Sequence, residues 1–285
     1  MSWTRVYAVT ESGPQRLSLP RKGHDVHDVF DDLPLGIYEA FRTFFGDRFL
    51  HLDRHLERAE RSMQAVAIHL PLDRAAVKKS LNAAAGEWAP RDARIRLDVL
   101  EGVPRSLGTD RRVLIALSEL VPVPARILEE GARLGIAAGK WRARPQVKQA
   151  AWVIERRGTG PGDHGLFEYV LLDPQQRILE CTSSNFFAVR GGRLVTADEG
   201  VLEGITRFVI LKVARELEIP VDFARVPLKQ LPLLEEAFLT SSSRGPVPIA
   251  AIDDVPIGSL DRPVFQRLRA GYDSYVRRHA RPADA

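Results

Sequence analysis

Lysine is scarce in this chain, supplying only seven of the 41 basic residues. One of the seven, Lys148, stands in "RPQVKQAAWV", with Val147, Ala150, Ala151, Trp152 and Val153 around it. Apolar surroundings lower an ammonium pKa and can make the amine a nucleophile, a role arginine cannot take. The alternative is a lysine that reaches water along its own stem. Further on, "ILECTSSNFFAV" (178–189) sets Glu180, Cys181, three hydroxyls and Asn185 between two apolar runs. Buried polar atoms are costly without partners, so that run must bond something. Two more segments could bind an anion. "LEGITRFV" (202–209) puts a glycine before a helix start that carries Thr206, where free N–H groups and the helix dipole favour negative charge. "FLTSSSRGPVPI" (238–249) ends a strand in four hydroxyls. Arg54 could reach an anion from the start of a helix. Read singly, these are also a plain helix cap, a solvated loop and a surface charge.

The elements that must hold these residues alternate in type. "RVYAVT" (5–10) reads as a strand, and "GIYEAFRTFFGDRFLHL" (36–52) as a hairpin turning at Gly46-Asp47. Leu56, Ala59, Met63 and Val66 fall at helical spacing in 53–68, and Asp73 can cap a second helix running to about Gly86. Strands are expected at 93–102 and 112–120. The prolines of "VPVPARI" (121–127) suggest an extended connector between a small domain, 1–120, and a larger one, 128–285. The second part reads as a meander with turns at Asp173-Pro174 and Gly191-Gly192, a helix at 204–219, strands at 236–243 and 247–253, and a closing helix near 260–278. The class is α+β with mostly antiparallel strands.

Composition narrows the function. The 285 residues, 45% hydrophobic and 27% charged, suit a globular protein, and no apolar run approaches the roughly 20 residues of a membrane span. The start, "MSWTRVYAVTESG", lacks the apolar core of a signal peptide, and the one cysteine suits a reducing cytoplasm. The net charge of +4 is spread among acids, as in "DRHLERAERS", which points away from nucleic acid. No metal-ligand spacing stands out.

Taken together, a lysine, a distant carboxylate and several phosphate donors are the parts that pyridoxal phosphate requires. The motifs then resemble a known family. Lys148, "LECTSSNFF", "LEGITR" (202–207) and "EAFLTSSS" (236–243) occur in the order seen in class IV, or fold-type IV, aminotransferases. Members include D-amino-acid and branched-chain aminotransferases and 4-amino-4-deoxychorismate lyase. "GIYEAFRTFFGDRFLHLDRHLERAERS" (36–62) is similar to the family's strand, hairpin and phosphate-arginine helix, so the likeness spans roughly 36–255. It implies a two-domain enzyme, with a smaller N-terminal α/β domain and a larger C-terminal domain built on a barrel-like sheet. Lys148 would be the Schiff-base lysine and move a proton at the substrate Cα. Glu180 would face the pyridine nitrogen. Arg54, Ile205, Thr206 and Ser243 would bind the phosphate, and Leu202 would pack on the ring. Tyr38 would line the substrate side, with Arg105 near where D-amino-acid members place a carboxylate-binding arginine.

Two departures stand out. "HDVHDVFDDLPLGIYE" (24–39) replaces the family's Arg-Gly-Phe-x-x-Gly-Asp-like approach, and Cys-Thr-Ser-Ser-Asn replaces the Gly-Thr-Gly-Glu-Asn usual in branched-chain members. The resemblance implies a homodimeric transaminase acting on an amino acid, of D-amino-acid or branched-chain type, and a 2-oxo acid. The lyase is the enzymatic alternative, and a basic binding protein on the same scaffold the non-enzymatic one.

Overall fold

The structure is a computed structural model that describes residues 4–19, 33–160, 162–258 and 260–285. Most of the unusual 24–35 approach segment therefore lies outside the described residues. The chain divides into two units. The first comprises Met1–Val121, Val147–Ile154 and Arg278–Ala285, and the second Pro122–Gln146 and Glu155–Arg277.

Among the described residues, the first unit holds a five-stranded antiparallel sheet. Its strands are β1 (Arg5–Thr10), β2 (Gly13–Arg16), β3 (Gly36–Arg42), β4 (Ala93–Leu100) and β5 (Val113–Glu119), in the order β2-β1-β5-β4-β3. Two helices, α1 (Leu52–Ala65) and α2 (Arg74–Gly86), supply apolar faces to it. Leu52 and Leu56 of α1, and Val77, Leu81 and Ala84 of α2, share one buried cluster with Phe41, Ile95, Leu97, Ile115 and Leu117. Helix α1 stops where Ala67 turns left-handed and Ile68 folds back, its N–H donating to the Met63 carbonyl. Ile68 then packs in the same apolar cluster as Met63. Helix α2 starts as expected, with the Asp73 carboxylate accepting from Ala76 N–H at 3.0 Å.

The expected hairpin at 36–52 is only half formed. Strand β3 ends at Arg42, because Asp92 draws the chain aside by accepting from both Arg42 and the Gly46 N–H. A tight turn through left-handed Phe45 and Gly46 closes with a Phe44–Arg48 bridge. Phe49 then pairs with Arg281 instead of with β3. The outer edge of β3 is thereby left for residues near Lys148: Ala150 N–H donates to Gly36 O, and Tyr38 N–H donates to Lys148 O.

The second unit is built on a ten-stranded curled sheet. Its strands are β6 (Ala132–Ile136), β7 (Glu168–Leu172), β8 (Arg177–Cys181), β9 (Asn185–Arg190), β10 (Arg193–Thr196), β11 (Val221–Phe223), β12 (Val226–Pro227), β13 (Glu236–Ser241), β14 (Gly245–Ile252) and β15 (Val255–Pro256). The order is β11-β10-β9-β13-β14-β6-β7-β8-β12, with β15 beside β14. Most pairings are antiparallel, but β6 runs parallel to both neighbours, and β10 pairs parallel with β11. The connector is not extended throughout. Pro124, with φ −54°, starts a short helix, α3 (Ala125–Glu130), since proline suits the residue flanking a helix start. A second short helix, α4 (Ala151–Glu155), follows Lys148. Helices α5 (Ile205–Glu216) and α6 (Pro263–His279) cross closely at Gly271, where a Cβ would stand 2.4 Å from Val213.

Replacing Asp73 with alanine removes the side-chain cap of α2. We expect a loss of about 1 kcal/mol, read as a lower urea midpoint at unchanged m-value.

Candidate active site

In the first unit, Lys148 lies outside regular structure and is half-buried. Its main chain is held at both ends: N–H donates to Ser62 Oγ of α1 at 3.2 Å, and C=O accepts from Tyr38 N–H at 2.9 Å. The Nζ ammonium stands 4.7 Å from the centroid of the Tyr38 ring, a cation–π distance. Tyr38 and Lys148 are thus neighbours. Arg54 is exposed on the outer side of α1, and Arg105 is exposed in a 3-10 turn after β4.

One turn after Arg54, the structure shows a cluster that spacing alone did not single out. Glu39 of β3 is fully buried. Arg58 Nε donates to its Oε1 at 2.8 Å and Nη2 to its Oε2 at 2.5 Å, while His55 Nδ1 lies 2.7 Å from Oε2. Burial pushes the Glu39 carboxyl up, yet the Arg58 charge and hydrogen bonds, aided by His55, outweigh it and hold the pKa at about 2. The His55 imidazole is pushed down, chiefly by burial, against the pull of Glu39; the positive charges of Arg58 and Lys148 add to the lowering. The available signal was the pattern Glu39, His55, Arg58: a strand carboxylate with a histidine and an arginine three residues apart on one helix face.

In the second unit, Glu180 is buried at the end of β8. Its Oε2 accepts from Asn185 Nδ2 at 3.1 Å and from Leu202 N–H at 3.0 Å. Asn185 Nδ2 also donates to Leu202 O at 2.8 Å, so one amide fixes both the carboxylate and the Leu202 main chain. Oε1 lies 3.4 Å from Arg142 Nη1, an ion pair with both side chains buried. Arg142 and Arg156 each donate to Thr182 O, pinning the turn between β8 and β9. Cys181 is fully buried, and burial, with the nearby Glu168 and Glu180 carboxylates, raises its thiol well above the ordinary value despite Arg244.

Helix α5 starts at Ile205, and its first residues Ile205 and Thr206 are buried. Its N-cap, Gly204, offers no side-chain acceptor, which leaves the first N–H groups without a side-chain cap. Gly204 is required for space: a Cβ there would fall 2.0 Å from Asn185 Oδ1. Ser243 is half-buried in the turn between β13 and β14. That turn is tied down by Arg244, whose Nη2 donates to Glu168 Oε2 at 2.6 Å, Ser183 Oγ at 2.9 Å and Ser184 Oγ at 2.7 Å. Its Nε donates to Ser241 Oγ at 3.1 Å. Part of the hydroxyl run after Glu180 therefore serves the Glu168–Arg244 pair. The Thr240 hydroxyl, also buried, has no hydrogen-bond partner among the described residues.

This donor set fits pyridoxal phosphate. The second unit offers a buried carboxylate for a pyridinium, and an uncapped helix start with a threonine for a phosphate. The first unit offers an amine on a fixed main chain.

The buried cluster sets a pH dependence. Glu39 has a folded pKa below its ordinary value, so its stabilisation is complete above about pH 4.5 and is lost as pH falls toward 2. His55 is also lowered, so the unfolded chain takes up its proton first and stability falls as pH drops through about 6.5. Urea midpoints between pH 7 and pH 5 should fall less steeply in His55→Gln than in the wild type; equal slopes would remove His55 as the cause. Glu39→Gln leaves a buried guanidinium without its counter-charge and should destabilise by about 3–5 kcal/mol.

Residues 36–252 match the family model described as amino-transferase class IV. A Methanocaldococcus jannaschii protein named as a candidate branched-chain-amino-acid aminotransferase is 30% identical over 232 residues, 76% of this chain and 78% of its own. The aminodeoxychorismate lyase of Bacillus subtilis is 25% identical over 257 residues, covering 85% and 86%. The branched-chain amino acid aminotransferase of Thermobaculum terrenum, solved in its pyridoxal-phosphate form, superposes with a TM-score of 0.73 over 98% of each chain, at 22% identity, a likeness of fold. With the motif order, the two-sheet architecture and the family match in agreement, this chain belongs to the class IV aminotransferases, which are pyridoxal-phosphate-dependent enzymes.

Proposed function

We propose that the enzyme is a transaminase that moves an amino group between an amino acid, of D-amino-acid or branched-chain type, and a 2-oxo acid. The observation that carries this reading is the fixing of Lys148. Its main chain is bonded at N–H and C=O, which sets its amine beside the Tyr38 ring. Bound pyridoxal phosphate supplies the electron sink that makes the substrate Cα–H acidic. Lys148 would bind the cofactor and then, with its amine released, take the Cα proton and return it as general base and acid. Glu180, oriented by Asn185, would hold a proton on the pyridine nitrogen. The α5 start, with Ile205 and Thr206, would bind the phosphate together with Ser243, and Leu202 would pack on the ring. For the arginine on α1 that serves the phosphate, burial beside Glu39 and His55 favours Arg58 over exposed Arg54. Tyr38, next to Lys148, would line the substrate side. The exposure of Arg105 gives it no support as a substrate ligand. The family resemblance supports a homodimer as the working form, and the lone buried cysteine suits the cytoplasm.

The coverage shared with the B. subtilis lyase favours one second reading, elimination of pyruvate from aminodeoxychorismate. The two differ in need: a transaminase turns over only when a 2-oxo acid accepts the amino group.

The deciding experiment is the visible spectrum of the purified protein while L- and D-amino acids are added in turn. A cofactor band that bleaches with one enantiomer, and returns with a 2-oxo acid, supports transamination. Pyruvate release from the chorismate substrate with no acceptor would establish the lyase instead. Lys148→Ala should lower turnover by on the order of a thousandfold or more. A variant that stays active would overturn the assignment of Lys148.

A further inference from the structure

The turn that carries Ser243 is short. Ser241 pairs with Gly245 where β13 meets β14, so only Ser242, Ser243 and Arg244 lie between. From this turn the Arg244 side chain reaches Glu168 of β7 and the turn after β8. Its Nη2 donates to Glu168 Oε2 at 2.6 Å and to the Ser183 and Ser184 hydroxyls at 2.9 and 2.7 Å. Glu168 is fully buried. It also accepts from Ser183 N–H at 2.5 Å, Ser183 Oγ at 2.9 Å and Ser184 Oγ at 2.7 Å. Burial pushes its carboxyl up, yet the Arg244 charge and the bonds from both serines and Arg244 hold it below its ordinary value. The carboxylate is thus a buried post to which two turns are tied.

The Ser243 turn and the start of α5 converge on one strand pair. Thr240, just before the turn, lies opposite Asn185 in the β13–β9 register. Opposed residues of an antiparallel pair share a face of the sheet. On that face the Asn185 side chain reaches Leu202 O and abuts Gly204, and α5 packs on β13. The Thr240 hydroxyl is buried on the same side, with no hydrogen-bond partner among the described residues, and the helix start there has no side-chain cap. A buried hydroxyl and uncapped helical N–H groups on one side of a sheet are donors placed for an anion. Ser243 adjoins Arg244 in a three-residue turn, so its place relative to those donors depends on where Arg244 is tied.

We propose that Arg244 is a positioning residue for the cofactor phosphate: anchored on Glu168, it holds the Ser243 turn against the α5 start so that both sets of donors meet one phosphate, and does not itself bind it. The inference rests on the assignment of Ser243 and the α5 start to the phosphate, made above. Positioning and charge make opposite demands on Glu168. If Arg244 served by its charge, removing the nearby carboxylate would strengthen its pull on a phosphate. If it serves by holding the turn, removing the carboxylate releases it and weakens phosphate binding.

The test strips the full-length enzyme of cofactor and titrates it with pyridoxal 5'-phosphate and with pyridoxal, which lacks the phosphate. The ratio of the two dissociation constants, read from the visible band, separates the phosphate contribution from ring binding and from overall stability. Arg244→Ala and Glu168→Gln should each lower the preference for the phosphorylated form by about tenfold, the loss expected when a hydrogen bond to a charged group is misaligned. Arg244→Lys, which keeps the charge without the fork, should show a smaller loss in the same direction and covers the case in which the alanine variant does not fold. Asp73→Ala, weakened at α2, should keep the wild-type ratio. An unchanged ratio in the folded Arg244 and Glu168 variants, a preference that rises in Glu168→Gln, or one that falls as far in Asp73→Ala overturns the proposal. A wild type that binds pyridoxal as tightly as its phosphate would overturn the phosphate assignment of Ser243 and the α5 start, and this inference with it.

Discussion

The first unit depends on an edge strand that its own neighbour in sequence leaves vacant. The limb after the Phe45–Gly46 turn does not return along β3; Phe49 pairs with Arg281 instead. Unpaired edge N–H and C=O groups need partners. They find them in residues 148–150, which are far along the chain. Lys148 is therefore held by sheet-type bonding although no regular element contains it. The bonds fix the main chain from which its side chain projects toward the Tyr38 ring.

Charge is buried repeatedly, and three of the buried carboxylates are neutralised within one unit. Glu39 meets Arg58 and His55, Asp98 meets Arg96, and Glu168 meets Arg244. Such pairs add little net stability over well-packed apolar residues, and removing one member is costly. Their value here is geometric. Arg58 links α1 to β3, and Arg244 links the hydroxyl turn after β13 to the turn after β8. Arg58 and Arg244 each hold two separate segments together.

The candidate site could be proposed from sequence because its residues interrupt apolar patterns. Lys148 among alanines and valine, and Glu180 ahead of a hydroxyl run between apolar strands, both break a rule that sequence alone makes visible. The helix starts at Asp73 and Gly204 followed from local chemistry. What sequence missed was tertiary. Arg54 and Arg58 are one helical turn apart and look alike until β3 supplies Glu39 to only one of them. The hydroxyls of Ser183 and Ser184 could be seen to need partners, but Arg244 as that partner depends on two distant turns meeting. The second limb of the 36–52 hairpin has adequate strand propensity. Asp92, forty residues away or more, decides that the chain turns aside, as long-range contacts often override local preference.

The contact between Gly204 and Asn185 has a metrical consequence. One amide separates the first turn of α5 from the Glu180 carboxylate, and no side chain can be inserted at position 204 to widen the gap. The positive end of the helix and the acid thus behave as two jaws of a gauge with a set opening. A rigid molecule that engages both by its ends is measured for length as well as for charge, and a homologue longer or shorter by one bond would seat at one jaw only.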